Sequence, residues 1–416
     1  RATSLGPARH RHLSAVRIGL LTTSFPRTEH DVPGIFVRGF AQSLVGQGHE
    51  VEVLAPEPAE LVYAAPPQIA GVHVCWVPYL RPRSLERTFY GAGVLDNLRA
   101  SPRAWLGPVP FSLSLYAHAR ARVGRWDALV SHWALPSGLV AGAVRGKRPH
   151  LAVLHSADVF LLERLPGRLP LVRHLLRGSS AVVCVSRDLR HRLLQILPPL
   201  ERAAHGPQVH VCPMGIDPPR APEDSRAMLR ARLGLGGFTA LCLCRLIPLK
   251  GVEHVIDAMR LSPDVTLVIA GDGPAREALE ARARALGGRV RFAGEVHGPQ
   301  KHALWAAADV FVSASVVAAS GRTEGMPTVL LEAMAHGLPV IATDVGGVRD
   351  VLLPGENALL VPPENPRAIA TAIGALQTHA ALRAHLAENA RAMAAQFAWS
   401  TLGPHFAALL SENVVP

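Results

Sequence analysis

The residues best suited to chemistry lie in the second half of the chain. Cys244-Arg-Leu-Ile-Pro-Leu-Lys-Gly251 follows an apolar run, Ala240–Cys244, that predicts a buried strand. Arg245 and Lys250 therefore leave a strand end and flank a turn that opens a helix. Two cations and a helix N-terminus can converge there on one anion, and a diphosphate fits that geometry. Two solvated surface cations are the plainer alternative, but Lys250 is one of only three lysines (Lys147, Lys250, Lys301) among 43 basic residues. In a chain that otherwise uses arginine, a lysine kept at a strand end is informative.

A second stretch runs from Thr323 to Pro339. Gly325, Met326, Pro327 and Thr328 read as a helix entry, with Pro327 beside the first turn and backbone N–H groups within 325–329 open to an anion. The helix is apolar on all sides through Val329, Leu330, Leu331, Ala333, Met334 and Ala335, which predicts burial. Glu332 is the exception. A carboxylate there must find donors, and either a ribose diol or an internal arginine supplies them. Glu324 lies eight positions earlier, outside the helix.

These groups need a frame that brings strand ends together. Val16–Leu21, a polar loop, Gly34, an amphipathic stretch to Gly48, and Glu50–Leu54 form a strand–helix–strand unit, which implies a parallel sheet. Further strands are expected at 128–131, 151–155, 181–186 and 208–212. The pattern then restarts, with strands at 240–244, 265–270, 290–293, 309–312 and 338–342. Helices fall at about 252–260, 274–286, 298–307 and 328–336. Met214-Gly-Ile-Asp-Pro-Pro219 has linker chemistry, so the boundary is placed near residue 215. A last helix, about 400–411, is expected to return to the first domain. The expected fold class is α/β, two doubly wound domains, 1–215 (plus the C-terminal helix, about 400–416) and 216–399, facing a cleft lined by strand carboxyl ends.

Composition limits the alternatives. The chain has 416 residues, 49% apolar and 18% charged, enough core material for two domains and too little polarity for disorder. Five cysteines without a Cys-x-x-Cys indicate neither a zinc site nor a disulfide framework, and a reducing cytoplasm fits best. No run reaches the ~18 apolar residues of a membrane span. Arg1–Ser14, basic and polar, does not read as a secretory signal.

Taken together, Arg245 and Lys250 in a Gly-closed turn, Gly271-Asp-Gly-Pro274 after a strand, Glu324 and Glu332 seven residues apart, and Gly337-Leu-Pro-Val-Ile-Ala-Thr-Asp-Val-Gly-Gly347 resemble the family 4 retaining glycosyltransferases of GT-B fold, of bacterial polysaccharide or glycolipid type. The likeness runs through the second domain and more thinly into the first, through Gly48-His-Glu-Val51, His155 and Met214-Gly-Ile-Asp217. It implies two Rossmann-like domains and hexosyl transfer from a nucleotide-diphosphate sugar, UDP favoured over GDP, to a sugar or lipid-linked acceptor. It implies no metal and no resident cofactor, the nucleotide sugar being a co-substrate. Arg245 and Lys250 would neutralise the diphosphate and Glu332 would bind ribose. Glu324, Gly325 and Met326 would hold the sugar, with Pro327 and Thr328 at the same helix entry. Gly273 would let backbone approach the nucleotide. His155 would act beside the sugar, with Asp158 orienting it or touching the acceptor. The first loop departs from the family's Gly-Gly, being Pro33-Gly-Ile35, so only Gly34 carries over.

A nucleotide-sugar 2-epimerase or a hydrolase on the same fold is the second reading, and a nucleic-acid-binding protein the third, motivated by charge alone. No RNA-recognition or zinc-finger pattern supports nucleic acid as a partner. Of the net charge of +11, residues 1–215 carry 25 Lys+Arg against 13 Asp+Glu, a balance of +12, and the remainder is nearly neutral at 18 against 19. A basic first domain suits an acidic acceptor or an anionic membrane surface at the cytoplasmic face. The leucine- and arginine-rich stretch Arg164–Arg177 reads either as a segment lying on such a surface or, equally, as an ordinary amphipathic helix packed on the sheet with a solvated basic face.

Overall fold

A computed structural model of the protein describes residues 15–28, 31, 33–58, 71–90 and 93–411. The basic stretch Arg1–Ser14 lies outside them. The described residues divide into two compact units, one built from those before Ile216 together with Trp399 onward, the other from Ile216–Ala398.

The first unit holds a seven-stranded sheet: β1 (Arg17–Leu21), β2 (Glu50–Pro56), β3 (Val72–Val77), β4 (Ala128–His132), β5 (His150–Leu154), β6 (Ala181–Cys184) and β7 (Val209–Val211). Their order is β3-β2-β1-β4-β5-β6-β7 and the paired strands are parallel. The central strands are buried along their length because helices cover both faces, so they appear in the sequence as apolar runs without alternation. The helix Trp399–Ser411 packs on the helix Ile35–Val45, where Phe40 meets Phe406 edge-on at 4.9 Å and Trp399 at 6.2 Å.

The second unit holds β8 (Phe238–Leu243), β9 (Val265–Ala270), β10 (Val290–Gly294), β11 (Val310–Ser313), β12 (Val340–Thr343) and β13 (Ala358–Val361), ordered β10-β9-β8-β11-β12-β13, again parallel. Its entry and exit are tied by a bond from Ile216 N–H to Phe397 O, 2.9 Å. Helices Val252–Ala258, Gly298–Ala307 and Thr328–Ala335 agree with expectation within two residues, and Arg276–Ala283 gives way to a 3-10 turn before β10.

Two strands were not anticipated. Both β3 and β13 are edge strands, partly exposed; β3 is interrupted by His73, and β13 is a run of only four apolar residues closed by Pro362. Three expected strands are shorter: the one over 181–186 stops at Cys184, where Ser186 caps the next helix, the one over 208–212 keeps only Val209–Val211, and the one over 338–342 begins at Val340; the one over 151–155 is shifted by one residue, to His150–Leu154.

Candidate active site

In each sheet the strand that comes first in the sequence has its two successors on one side and the next strand on the other. The order therefore reverses between β8 and β11 in the second unit, and ligands of open α/β sheets bind beyond the strand ends at such a reversal. The loops that leave these two strands carry Lys250 and Glu324. Lys250 Nζ lies 2.8 Å from Glu324 Oε1, both side chains largely buried at 18% and 12% exposure, and Ser315 Oγ reaches the same oxygen at 3.5 Å. Burial by itself would depress the lysine's pKa. The Glu324 carboxylate outweighs it, with the result above the ordinary 10.5, so Lys250 is a fixed cation at neutral pH. Arg245, half-buried, is close enough for its charge to oppose that of Lys250. Two cations and a carboxylate are thus gathered at one strand end.

The turn that delivers Lys250 depends on Gly251. Its φ of 58° is left-handed, and an added Cβ would collide with Ala314 O at the end of β11. At Gly273 a Cβ would strike the backbone of Leu246, so this glycine lets the turn after β9 close on the Arg245 loop. Leu246 N–H donates to Asp272 O at 2.8 Å across the same contact.

The helix Thr328–Ala335 starts with Pro327 at its N-cap, behind buried Gly325 and Met326. Leu330, Leu331, Ala333 and Met334 are enclosed. Glu332 reaches the half-exposed side, where Lys301 Nζ sits 2.6 Å from Oε2. The internal partner of this carboxylate is thus a lysine and not an arginine. The two glutamates of the motif are paired with two of the chain's three lysines.

In the first unit His155 follows β5 and caps the helix Ser156–Leu162. Its Nε2 is 3.1 Å from Nδ1 of His132, the last residue of β4, and the rings stack at 18°. Phe36 and Trp133 close around it, with ring centroids at 4.9 and 4.8 Å. Burial pushes the His155 pKa down to about 3, and burial together with the charge of His155 pushes that of His132 well below 6.5. Both imidazoles are neutral at pH 7, so one donates and the other accepts. His132 Nε2 is fully enclosed and without a partner. A buried orphan N–H is rarer than a buried orphan acceptor, which assigns the proton to His132 Nδ1. His155 then accepts at Nε2 and carries its own proton on Nδ1. His155 retains 9% exposure and His132 none, so the outward-facing donor belongs to His155.

Asp158 does not bond the His155 ring. Its carboxylate accepts from Ala134 N–H at 2.7 Å and from Val159 N–H at 2.9 Å. Burial pushes its pKa up to about 7, with the backbone N–H groups of Ala134, Val159, Asp158 and His155 pulling back. It fastens the loop after β4 to the loop after β5. Gly34, with φ 76°, caps the helix Ile35–Val45 that carries Phe36.

Residues 34–220 match the sequence profile described as Glycosyltransferase Family 4, and residues 237–379 the profile of Glycosyl transferases group 1. The D-inositol 3-phosphate glycosyltransferase of Xylanimonas cellulosilytica is 31% identical over 387 residues, 88% of this chain and 88% of that protein. The chain belongs to glycosyltransferase family 4. A GDP-mannose-dependent alpha-(1-6)-phosphatidylinositol monomannoside mannosyltransferase of Mycolicibacterium smegmatis is 33% identical over 291 residues, 67% of this chain and 74% of the other. Among solved structures, Anabaena HepE in complex with UDP and glucose aligns over 95% of this chain and 100% of its own, with a TM-score of 0.72 at 23% identity. The two parallel sheets of this glycosyltransferase are those of the GT-B fold.

Within the glycosyltransferase, the second unit gathers Arg245, Lys250, Gly273, Glu324 and the helix entry at Gly325–Thr328 around one sheet reversal, with Glu332 farther along the helix. The first unit gathers Gly34, His155 and Asp158. Two residues were missed. His132 ends a strand just as His155 follows one, and that placement was its only signal. Lys301 had scarcity alone to mark it. The stretch Arg164–Arg177 takes the plainer of its two readings: its helix, Arg168–Arg177, buries Val172, Leu175 and Leu176, and Arg173 forks onto Glu201 at 2.8 and 2.5 Å. Among the described residues no helix is long and apolar enough to cross a membrane.

Proposed function

We propose that this glycosyltransferase moves a hexosyl group from a nucleotide-diphosphate sugar to a sugar or lipid-linked acceptor, with retention at the anomeric carbon. The carrying observation is the Lys250–Glu324 pair at the reversal of strand order, with Arg245 beside it. As the bond from the anomeric carbon to the phosphate oxygen breaks, negative charge grows on the departing diphosphate. Cations already in place lower that barrier without reorganisation, and Arg245 and Lys250 supply the charge a divalent metal supplies elsewhere. The acceptor oxygen bonds the anomeric carbon on the face the diphosphate leaves, and its proton passes to the leaving phosphate oxygen.

Around that step, Glu332 accepts the ribose hydroxyls in exchange for part of its contact with Lys301. Glu324 and the N–H groups of Gly325 and Met326 hold the sugar hydroxyls. Pro327 and Thr328 set the helix N-terminus where negative charge is favoured. Gly34 and Asp158 shape the loops that present His155, whose Nδ1–H donates to a sugar hydroxyl. The relatives support an anionic or lipid-linked acceptor, being named for inositol 3-phosphate and a phosphatidylinositol mannoside. They divide the donor between GDP-mannose and, at the level of fold, UDP-glucose.

A thermal-shift panel of UDP-, GDP- and ADP-sugars tests the donor, since a ligand selective for the folded state raises Tm. Lys250→Ala and Arg245→Ala should each cut turnover by ~100-fold or more, typical of one preorganised electrostatic contact. Near wild-type turnover in both would place the leaving group elsewhere. Donor consumption without any acceptor would favour a hydrolase or an epimerase.

A further inference from the structure

The helix Pro108–Arg122 carries apolar side chains on two opposite sides, and only one of them is buried. One side is core: Phe111, Leu115 and Ala119, at i, i+4 and i+8, are fully enclosed. The opposite side carries Val109, Leu113 and Tyr116, at i, i+4 and i+7, with exposures of 68%, 67% and 44%. The 3-10 turn Pro102–Leu106 extends this stripe with Trp105 at 65% and Leu106 at 51%. Five of the ten exposed large apolar side chains among the described residues thus fall within twelve consecutive positions. A contiguous patch of this kind marks a contact surface, whereas the other five are scattered and need no explanation.

The charge carried by this segment is of one sign. Between Asp96 and Asp127 lie thirty residues with five arginines and no acidic residue. Arg103 and Arg125 are exposed near the two ends, and Arg120, also exposed, continues the stripe one turn beyond Tyr116. Arg122 points the other way, onto Glu52 at 3.3 Å. A protein partner would be expected to face mixed charges, but an anionic bilayer matches an apolar stripe with an arginine collar. Trp105 and Tyr116 are the amphipathic aromatics that settle at the headgroup level.

We propose that this face docks on an anionic bilayer. Trp105, Leu106, Val109, Leu113 and Tyr116 enter the boundary between headgroups and acyl chains, and Arg103, Arg120 and Arg125 meet lipid phosphates. The unit that bears it holds the whole basic surplus of the chain. The inference is independent of the catalytic reading, and a variant without turnover, such as Lys250→Ala, should bind equally well.

The test is flotation of the full chain with vesicles of phosphatidylcholine alone or with one third phosphatidylglycerol, at low and high salt. Binding should require the anionic lipid and weaken in salt. Val109→Ser with Leu113→Ser should lower it tenfold or more while leaving Tm unchanged, because both side chains are already in water. Arg103→Ser with Arg120→Ser should remove most of the lipid selectivity. Equal binding by wild type and the apolar double variant would overturn the proposal, as would equal binding to neutral vesicles. Concentration-dependent dimerisation that the apolar double variant abolishes, without vesicle binding by either, would assign the stripe to a second copy and overturn it too.

Discussion

Acidification should unfold the unit that carries His155 before any carboxylate network fails. Three of its histidines are buried and strongly shifted, His132, His150 and His155, and burial also lowers the pKa of His49, which adds to the effect with the same sign. In the case of His150, Nδ1 donates to Gly178 O at 2.8 Å and Ser131 Oγ donates to Nε2 at 2.8 Å, so the neutral ring is satisfied and burial holds its pKa down to about 4. A histidine with a depressed folded pKa contributes stability in full above 6.5 and loses it as pH falls toward the folded value. At ~1.4 kcal/mol per tenfold, the complete loss is ~3 kcal/mol for His150 and ~5 for His155. Asp158, raised to about 7, has the opposite sign: its contribution is full below 3.8 and lost as pH rises through 7, so on acidification it returns ~1.4 kcal/mol per pH unit. Three protons against one leave a net uptake of two on unfolding, or ~3 kcal/mol per pH unit between pH 6 and 5. Against a typical stability of ~5–15 kcal/mol, two units of acidification consume much of the margin.

Tryptophan fluorescence reports this unit, since Trp76, Trp105, Trp126, Trp133 and Trp399 belong to it and Trp305 alone to the other. Urea midpoints measured from pH 7.5 to 5 should fall ever more steeply, reaching a slope of about two protons or more between pH 6 and 5. His150→Gln should reduce that slope by about one, because it removes one of these histidines without touching His132 or His155. An unchanged slope in His150→Gln, or a wild type more stable at pH 5 than at pH 7, would refute the reasoning.

Two further outcomes are expected. Glu332→Ala removes a charge-assisted contact of ~1.5–3 kcal/mol, so calorimetry should show nucleoside diphosphate binding ~10- to 100-fold weaker, and an unchanged affinity would exclude a ribose contact there. His132→Phe keeps the ring packing against Phe36 and Phe40 but deletes the hydrogen bond to His155. Turnover should fall about tenfold at constant donor KM, in line with a net bond of ~1 kcal/mol, and the His155 ring-nitrogen NMR shifts should leave the Nδ1–H pattern. Wild-type shifts and turnover together would show that His132 only packs.

Central strands and the helices between them were legible in the sequence because their signal is local: β8, β9 and β11 are apolar runs, and the helix Thr328–Ala335 begins at a proline and is apolar throughout. The edge strands β3 and β13 were not, since His73 breaks the apolar run of β3 and the run of β13 is only four residues long before Pro362. The residue types at 245, 250, 324 and 332 also announced anion and sugar chemistry by themselves. Their pairing did not follow from them. Lys250 meets Glu324 across 74 positions of chain only because β11 lies beside β8, and His132 meets His155 only because β4 lies beside β5. The meaning of Pro108–Arg122 was likewise hidden, because apolar residues on both sides of a helix carry no label for which side the core takes. Periodicity and turn chemistry act between near neighbours and are written in the sequence. Which charges face each other, and which apolar face is left in water, depend on strand order, and that is decided only when the sheet has formed.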